Sequence, residues 1–211
     1  MPNVSSVKTK FFGAVDATDA DGISVSASIS GAAALTLGGT LTSGGSYTSG
    51  DNIGQIITIT SAADDSGITF TVVGTNAVGD ALTEVVTGAD TTVASSSGYF
   101  NTVTSITTSA ATAGAVTAGV LGSSTAGEMG TGTVFAGRTR IRGLQGLSGA
   151  SAGNLLFKNT SITGTTLLTV PTQAAAELIE PYIPDNAVLF DAGAYVNFGS
   201  AVATVTVFYD G

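Results

Sequence analysis

The sequence contains no cysteine and no histidine. Without cysteine there is no disulfide and no thiolate chemistry. Without histidine, neither a Ser-His-Asp nor a Cys-His arrangement can be assembled, and the common His/Cys zinc sites are excluded as well. Tryptophan is also absent and aromatic residues make up 7 % of the chain. Its cores must therefore be built mainly from Val, Ile, Leu and Ala, whose small side chains suit closely packed sheets. Charge is scarce and one-sided: six Lys and Arg stand against 15 Asp and Glu, a formal net charge of −9. That balance disfavours a general nucleic-acid binder, which needs a basic surface for phosphates, and favours solubility. No apolar run is long enough to span a membrane, and the opening MPNVSSVKTKFFGAV has only a very short apolar patch after its two lysines, not a signal-peptide core. Synthesis in the cytoplasm, with no membrane partner, is the expectation.

What the chain does have is alternation. At 43 % hydrophobic residues, with 29 glycines, it could pass for low complexity, but apolar residues alternate with Ser and Thr repeatedly, as in half-buried strands. The organising stretch is residues 53–93. Apolar, Thr-rich runs at 55–60, 68–73 and 82–87 are separated by acidic or Gly-bearing turns, the pattern of an antiparallel meander. Ile68, Phe70 and Val72 should face one side of a sheet, Thr69 and Thr71 the other. Further strands are expected at 23–29, 35–41, 102–108 and 115–121. In the last strand, Val205, Val207 and Tyr209 share one side while Thr206 and Phe208 share the other. Pro171, Pro181 and Pro184 punctuate the connections and leave AAAELIE at most a short helical turn. The expected fold class is all-β: an N-terminal arm at 1–21, a β-sandwich module at 22–122, a small-residue linker at 123–132 and a C-terminal antiparallel β module at 133–211.

Candidate chemistry is sparse. A carboxylate pair could serve glycoside hydrolysis, and Glu84, Glu128, Glu177 and Glu180 are available, but surface solvation accounts for most such residues. Asp16, Asp19, Asp21 and Gly22 are rich in oxygen, yet their spacing misses the calcium-loop pattern and its later Glu. Asp64 and Asp65 sit where acidic turn residues are expected. No catalytic, cofactor or metal site is expected. The most pointed feature is Arg138, Arg140 and Arg142, all the arginines of the chain, which a β-strand places on one face. They can pair bidentately with carboxylates of a partner, or form a solvated face paired with the chain's own acids. Phe11 and Phe12 can anchor an arm on a partner or tuck onto their own domain.

The run ITFTVVGTNAVGDALTEVVTGADTTVASSSGYFNTVTSITTSAATAGAVTAG resembles β-sandwich modules in structural proteins of tailed bacteriophages, a likeness covering residues 53–119. The terminal section, LLTVP through AVLFDAGAYVNFGSAVATVTVFYDG, is similar to a small β module of phage virion proteins. The resemblance implies a non-enzymatic virion protein on the outer capsid surface, a decoration or cement protein that binds across adjacent copies of the major capsid protein. A homo-oligomer, with a trimer in keeping with decoration proteins, is also implied. Phe11, Phe12, Arg138, Arg140 and Arg142 are then the expected partner-binding residues. The alternative is a tail or fibre module binding host-surface glycans through Tyr47, Tyr99 or Tyr195.

Overall fold

The computed structural model describes residues 7–50, 52–122, 128–199 and 202–211. These form eighteen strands and no helix. In chain order they are β1 (Lys8–Phe12), β2 (Asp19–Ala27), β3 (Thr42–Ser43), β4 (Ser46–Thr48), β5 (Gly54–Ser61), β6 (Thr69–Thr75), β7 (Ala81–Thr87), β8 (Val93–Phe100) and β9 (Thr102–Thr108). They continue with β10 (Val116–Val120), β11 (Glu128–Phe135), β12 (Thr139–Ser148), β13 (Gly153–Asn159), β14 (Thr166–Thr172), β15 (Leu178–Ile179), β16 (Val188–Phe190), β17 (Ala194–Gly199) and β18 (Val202–Asp210). The fold is all-β and antiparallel, as the alternation implies.

Two compact units share the chain. One, the flanking unit, is drawn from Met1–Val15, Asp51–Ile53 and Thr125–Gly211; the other, the inserted unit, from Asp16–Gly50 and Gly54–Ser124. The division is not a simple cut along the sequence, because β1 pairs with β18, Lys8 opposite Tyr209 and Phe12 opposite Val205. Residues 8–12 of the expected arm are thus an edge strand, and Asp19 and Asp21 already lie in β2. Of the expected linker, 123–127 fall outside the described residues and the remainder belongs to β11.

In the flanking unit, one sheet has the order β1-β18-β12-β15, with β16 also on β12, and a second layer runs β14-β13-β17-β11. Val205, Val207 and Tyr209 are buried, together with Ile141, Leu144, Leu155, Phe157, Val196 and Phe198. Of the two sides of the last strand that the alternation separates, the one carrying Val205, Val207 and Tyr209 is the one that packs. The AAAELIE segment supplies β15, not a helical turn: Leu178 and Ile179 pair with Leu147 and Gly146 at the sheet edge.

In the inserted unit, one sheet has the order β3-β4-β9-β6-β7; opposite it, β5 pairs with β10 and β8, and β10 with β2. Ile23, Ile57, Ile59, Phe70, Val72, Phe100, Ile106 and Val116 join one core between the layers. Phe70 and Val72 are buried as their alternation requires. The expected three-run meander, however, is divided. β6 and β7 form the hairpin, but β5 goes to the opposite layer, because residues 62–68 carry the chain across the core instead of folding it back beside itself. The strand expected at 35–41 is also absent as such. Leu35 and Leu37 are buried and the Leu35 N–H donates to Ile106 O at 2.8 Å, so the segment covers the core edge without joining a ladder beyond the single Ala34–Thr107 bridge.

Candidate functional site: one face of the arginine-bearing sheet

The register of the flanking unit brings the two expected partner-binding elements onto one sheet. Across β1, β18 and β12, Phe11 lies opposite Thr206 and Thr206 opposite Gln145; Asp210 lies opposite Arg140; Thr204 lies opposite Leu147, and Leu147 opposite Leu178. Directly paired residues in a sheet share a side. These positions alternate with the buried Val205, Val207 and Tyr209 of β18 and the buried Thr139 and Ile141 of β12, so they form the outward face. Phe11 is 45 % exposed, Leu147 46 % and Leu178 60 %. The face therefore carries apolar side chains from β1, β12 and β15, with guanidinium groups at one end.

Phe12, one residue on, points the other way. It is fully buried, its ring centroid 5.6 Å from that of Phe198. Phe12 is thus a core residue and not a partner-binding one, because a strand sends consecutive side chains to opposite sides and only the inner side of β1 meets the second layer.

The arginine end is a cavity of about 240 Å³ lined by Arg138, Thr139, Arg140, Arg142, Leu189 and Asp210, with Gly211. Arg142 is the most firmly held. Its Nε donates to Asp210 Oδ2 at 2.7 Å, Nη2 lies 2.6 Å from the same oxygen, and Nη1 donates to Asp185 O at 3.0 Å. Arg140 Nη1 donates to Asn186 O at 2.6 Å. Arg138, just before β12, approaches Asp191 at 3.8 Å with both side chains exposed, a contact worth little in water. The three arginines line one cavity, but not as one regular strand face: Arg138 precedes β12, and the pairing of β12 with β18 shifts register between Ile141 and Gly143. Arg138 and Arg142 meet the chain's own acids.

A second cavity, of about 230 Å³, is lined by Val170, Pro171, Leu178, Ile179 and Pro181, with Glu177 and Glu180 among its polar members. Tyr182, 86 % exposed, follows Pro181 directly. Sequence reasoning passed over Leu147, Leu178 and Tyr182. For Leu147 a signal exists: it stands three residues after Leu144, and an odd spacing on a strand puts the two on opposite sides. Leu144 is buried. For Leu178 and Tyr182 the local pattern holds no such signal.

The inserted unit holds a buried polar network instead of an exposed face. Tyr47, fully buried, donates its hydroxyl to Asp16 Oδ2 at 3.0 Å. The Gln55 amide satisfies its neighbours when Nε2 faces Asp16 Oδ2 at 2.7 Å, Tyr47 OH at 2.9 Å and Ser49 Oγ at 3.1 Å, and Oε1 accepts the Asp16 N–H at 3.2 Å. Burial raises the Asp16 carboxyl pKa, partly offset by the Tyr47 hydroxyl; burial likewise pushes the Tyr47 phenol up. Tyr47 is therefore unavailable for stacking on a sugar.

The remaining acids have separate employment. Asp19 accepts from Thr40 Oγ1 at 2.8 Å and from the Asp21 N–H at 3.3 Å, the Thr40 hydroxyl chiefly lowering its pKa. Asp16 turns to Tyr47, so the Asp16, Asp19 and Asp21 carboxylates do not converge on a common point, and no group of three or more metal-ligating side chains occurs among the described residues. Glu84 accepts two backbone amides of β8. Asp65 is buried, with Oδ1 on the Ala113 N–H at 2.7 Å.

No family, no curated protein and no solved structure matches the chain. The outward face combines exposed Phe11, Leu147 and Leu178 with arginines at one end; aromatic residues and Arg are enriched where proteins meet.

Proposed function

We propose that the protein is a non-enzymatic structural component of a phage virion that decorates the outer capsid and cements adjacent capsid subunits. The reading joins the phage-like sequence pattern to one observation, the outward sheet face that collects Phe11, Leu147 and Leu178 beside Arg140 and Arg142. Desolvated apolar groups on this face supply affinity for the major capsid protein, while guanidinium groups fix orientation through carboxylates. Cementing then follows from linkage. A protein that binds the assembled shell and not its separated subunits stabilises the shell by its binding free energy.

The test is location and occupancy. Cryo-electron microscopy of intact particles, with heads and tails examined separately, is expected to give regular density on the outer shell with this face against capsid subunits. Phe11→Ser combined with Leu178→Ser is expected to reduce occupancy on empty heads. Density confined to the tail, or unchanged occupancy by the double variant, would sink the proposal; binding of the isolated protein to a glycan array would favour the tail-module alternative.

A further inference from the structure

The connection from β15 to β16 carries more chain than its span requires. Ile179 pairs with Gly146 and Val188 with Ile141, both on β12, so the eight residues 180–187 stand opposite only the four residues 142–145. A strand advances about 3.3 Å per residue, and the surplus has to leave the sheet edge. That surplus carries Tyr182, 86 % exposed, the most exposed large apolar side chain among the described residues. Its hydroxyl has no hydrogen-bond partner among them, and its ring stacks on no other.

Exposed as it is, the segment is not slack. Pro181 and Pro184 fix their own φ and hold Glu180 and Ile183 to extended geometry. Its return to β16 is pinned by three bonds: the Ala187 N–H donates to Pro184 O at 2.7 Å, Arg140 Nη1 to Asn186 O at 2.6 Å, and Arg142 Nη1 to Asp185 O at 3.0 Å. Ala187 adopts φ +58°, and Ala175 and Ala176, just ahead of β15, adopt φ +79° and +54°. Left-handed geometry is unfavourable for a residue with a Cβ and persists where the surroundings impose it, often beside a binding element. A lone exposed aromatic on a loose loop would call for no explanation. On a braced, proline-bounded segment, most of the ordering that binding demands is already in place.

We infer that Tyr182 is the aromatic anchor of the docking surface, inserted into an apolar cleft of the capsid subunit that the surface meets, with residues 180–184 lying extended along the rim of that cleft. The inference rests on the proposed capsid role and adds the chemistry of the partner. Leu178 of the outward face and Pro181 line one cavity, and Tyr182 follows directly, so the anchor continues that face. Tyrosine is enriched at interface hot spots because it buries a large rigid ring for two rotatable bonds and carries a polar tip. Glu177, Glu180 and Asp185 flank it and are all exposed, so the receiving rim carries neutral or basic groups and not carboxylates. Affinity comes from the buried ring and not from those exposed charges.

The experiment titrates the full chain onto empty heads, with wild type beside Tyr182→Ala and Tyr182→Phe. All three are expected to melt together, since so exposed a side chain adds little to the fold. Tyr182→Ala is expected to weaken binding about 30-fold or more, and Tyr182→Phe much less. Nitration with tetranitromethane, read by mass spectrometry, is the second measurement. In the free chain Tyr182 should be nitrated ahead of the buried Tyr47 and Tyr209, and on heads its nitration should be lost. Wild type that binds heads while Tyr182→Ala binds equally well, or while Tyr182 is nitrated as fast as in the free chain, overturns this inference alone. Wild type that never binds heads overturns the capsid reading and this inference with it. Binding to a glycan array that Tyr182→Ala abolishes assigns the ring to a sugar and overturns the protein cleft.

Discussion

Glu84 and Gly98 are joined across the inserted unit: Oε2 of Glu84 accepts the Gly98 N–H at 2.8 Å, and Oε1 accepts the neighbouring Ser97 N–H at 2.6 Å. One carboxylate on β7 thereby closes two consecutive amides of β8, a strand of the opposite layer. A side chain at position 98 would crowd this clasp, since a Cβ there would stand 3.0 Å from Oε2 and 3.2 Å from Leu82 Cδ2. Charge-assisted bonds to backbone amides are stronger than neutral ones. Glu84→Ala is expected to cost about 1–3 kcal/mol, read as a lower urea midpoint at unchanged slope, and Glu84→Gln an intermediate amount. An unchanged midpoint in Glu84→Ala would mean the clasp contributes nothing net.

Asp16 gives the inserted unit a pH signature. Its folded pKa lies above the ordinary value of 3.8, burial being the main cause. The folded state then holds the proton more tightly than the unfolded one, so stability is greatest below the unfolded pKa and is lost as pH rises through the folded value. Asp16→Asn keeps an oxygen for the Tyr47 hydroxyl and removes the charge. It is expected to melt at or above the wild-type temperature at pH 7, with the advantage vanishing near pH 3, where Asp16 is protonated in both states. An advantage that grows toward acid pH would contradict this account.

Tyr47→Phe removes one donor to the same carboxylate and leaves the Gln55 amide short of a partner. A destabilisation of about 1–2 kcal/mol is expected in chemical denaturation at pH 7. It should be smaller in an Asp16→Asn background, because the two residues share one network.

The adjacent phenylalanines of β1 separate core from surface. Phe12→Ala empties a packed site against Phe198 and is expected to cost about 3–5 kcal/mol, whereas Phe11→Ser should stay within about 0.5 kcal/mol. Denaturant melts of both variants check the contrast; a larger loss at Phe11 than at Phe12 would show that β1 packs with the opposite side inward, and equal losses would contradict the assignment of Phe12 alone to the core.

Gly74 sits at an irregularity in the pairing of β6 with β9, and a Cβ there would run into the Thr102 carbonyl oxygen and Val103 Cα. Gly74→Ala is expected to destabilise by about 1–3 kcal/mol or more. At Gly31 a Cβ meets nothing within 4 Å, so Gly31→Ala should be neutral or stabilise by up to about 1 kcal/mol through the unfolded chain. Thermal melts showing equal effects at the two sites would contradict the close approach at Gly74.

Much of the candidate face was legible one element at a time. The alternation in β18 predicted that Val205, Val207 and Tyr209 share a side, but not that this side is the inward one, because Phe208 leaves apolar content on the other. The arginine spacing placed Arg140 and Arg142 on β12, while Arg138 precedes the strand. That Phe11 joins the arginines, while Phe12 does not, was not legible. Two adjacent aromatics satisfy either parity equally, and the choice falls to the partner strand, which lies about two hundred residues away in sequence. Leu178 escaped notice because its two-residue strand is too short to display a period, and it exists only through pairing with β12.

The sequence by itself determined the class of structure and the chemistry closed to it. Alternation with small β-compatible residues makes strands, and the absence of His and Cys removes the corresponding catalytic and metal-binding arrangements. Only the tertiary structure decided which strands are neighbours. It sent β5 to the layer opposite β6, set β1 against β18, and thereby collected every cation in one unit while leaving the other purely acidic. The physical reason is range: side-chain periodicity is fixed within a few residues, but pairing depends on which buried faces and backbone hydrogen bonds can be satisfied together across the whole chain.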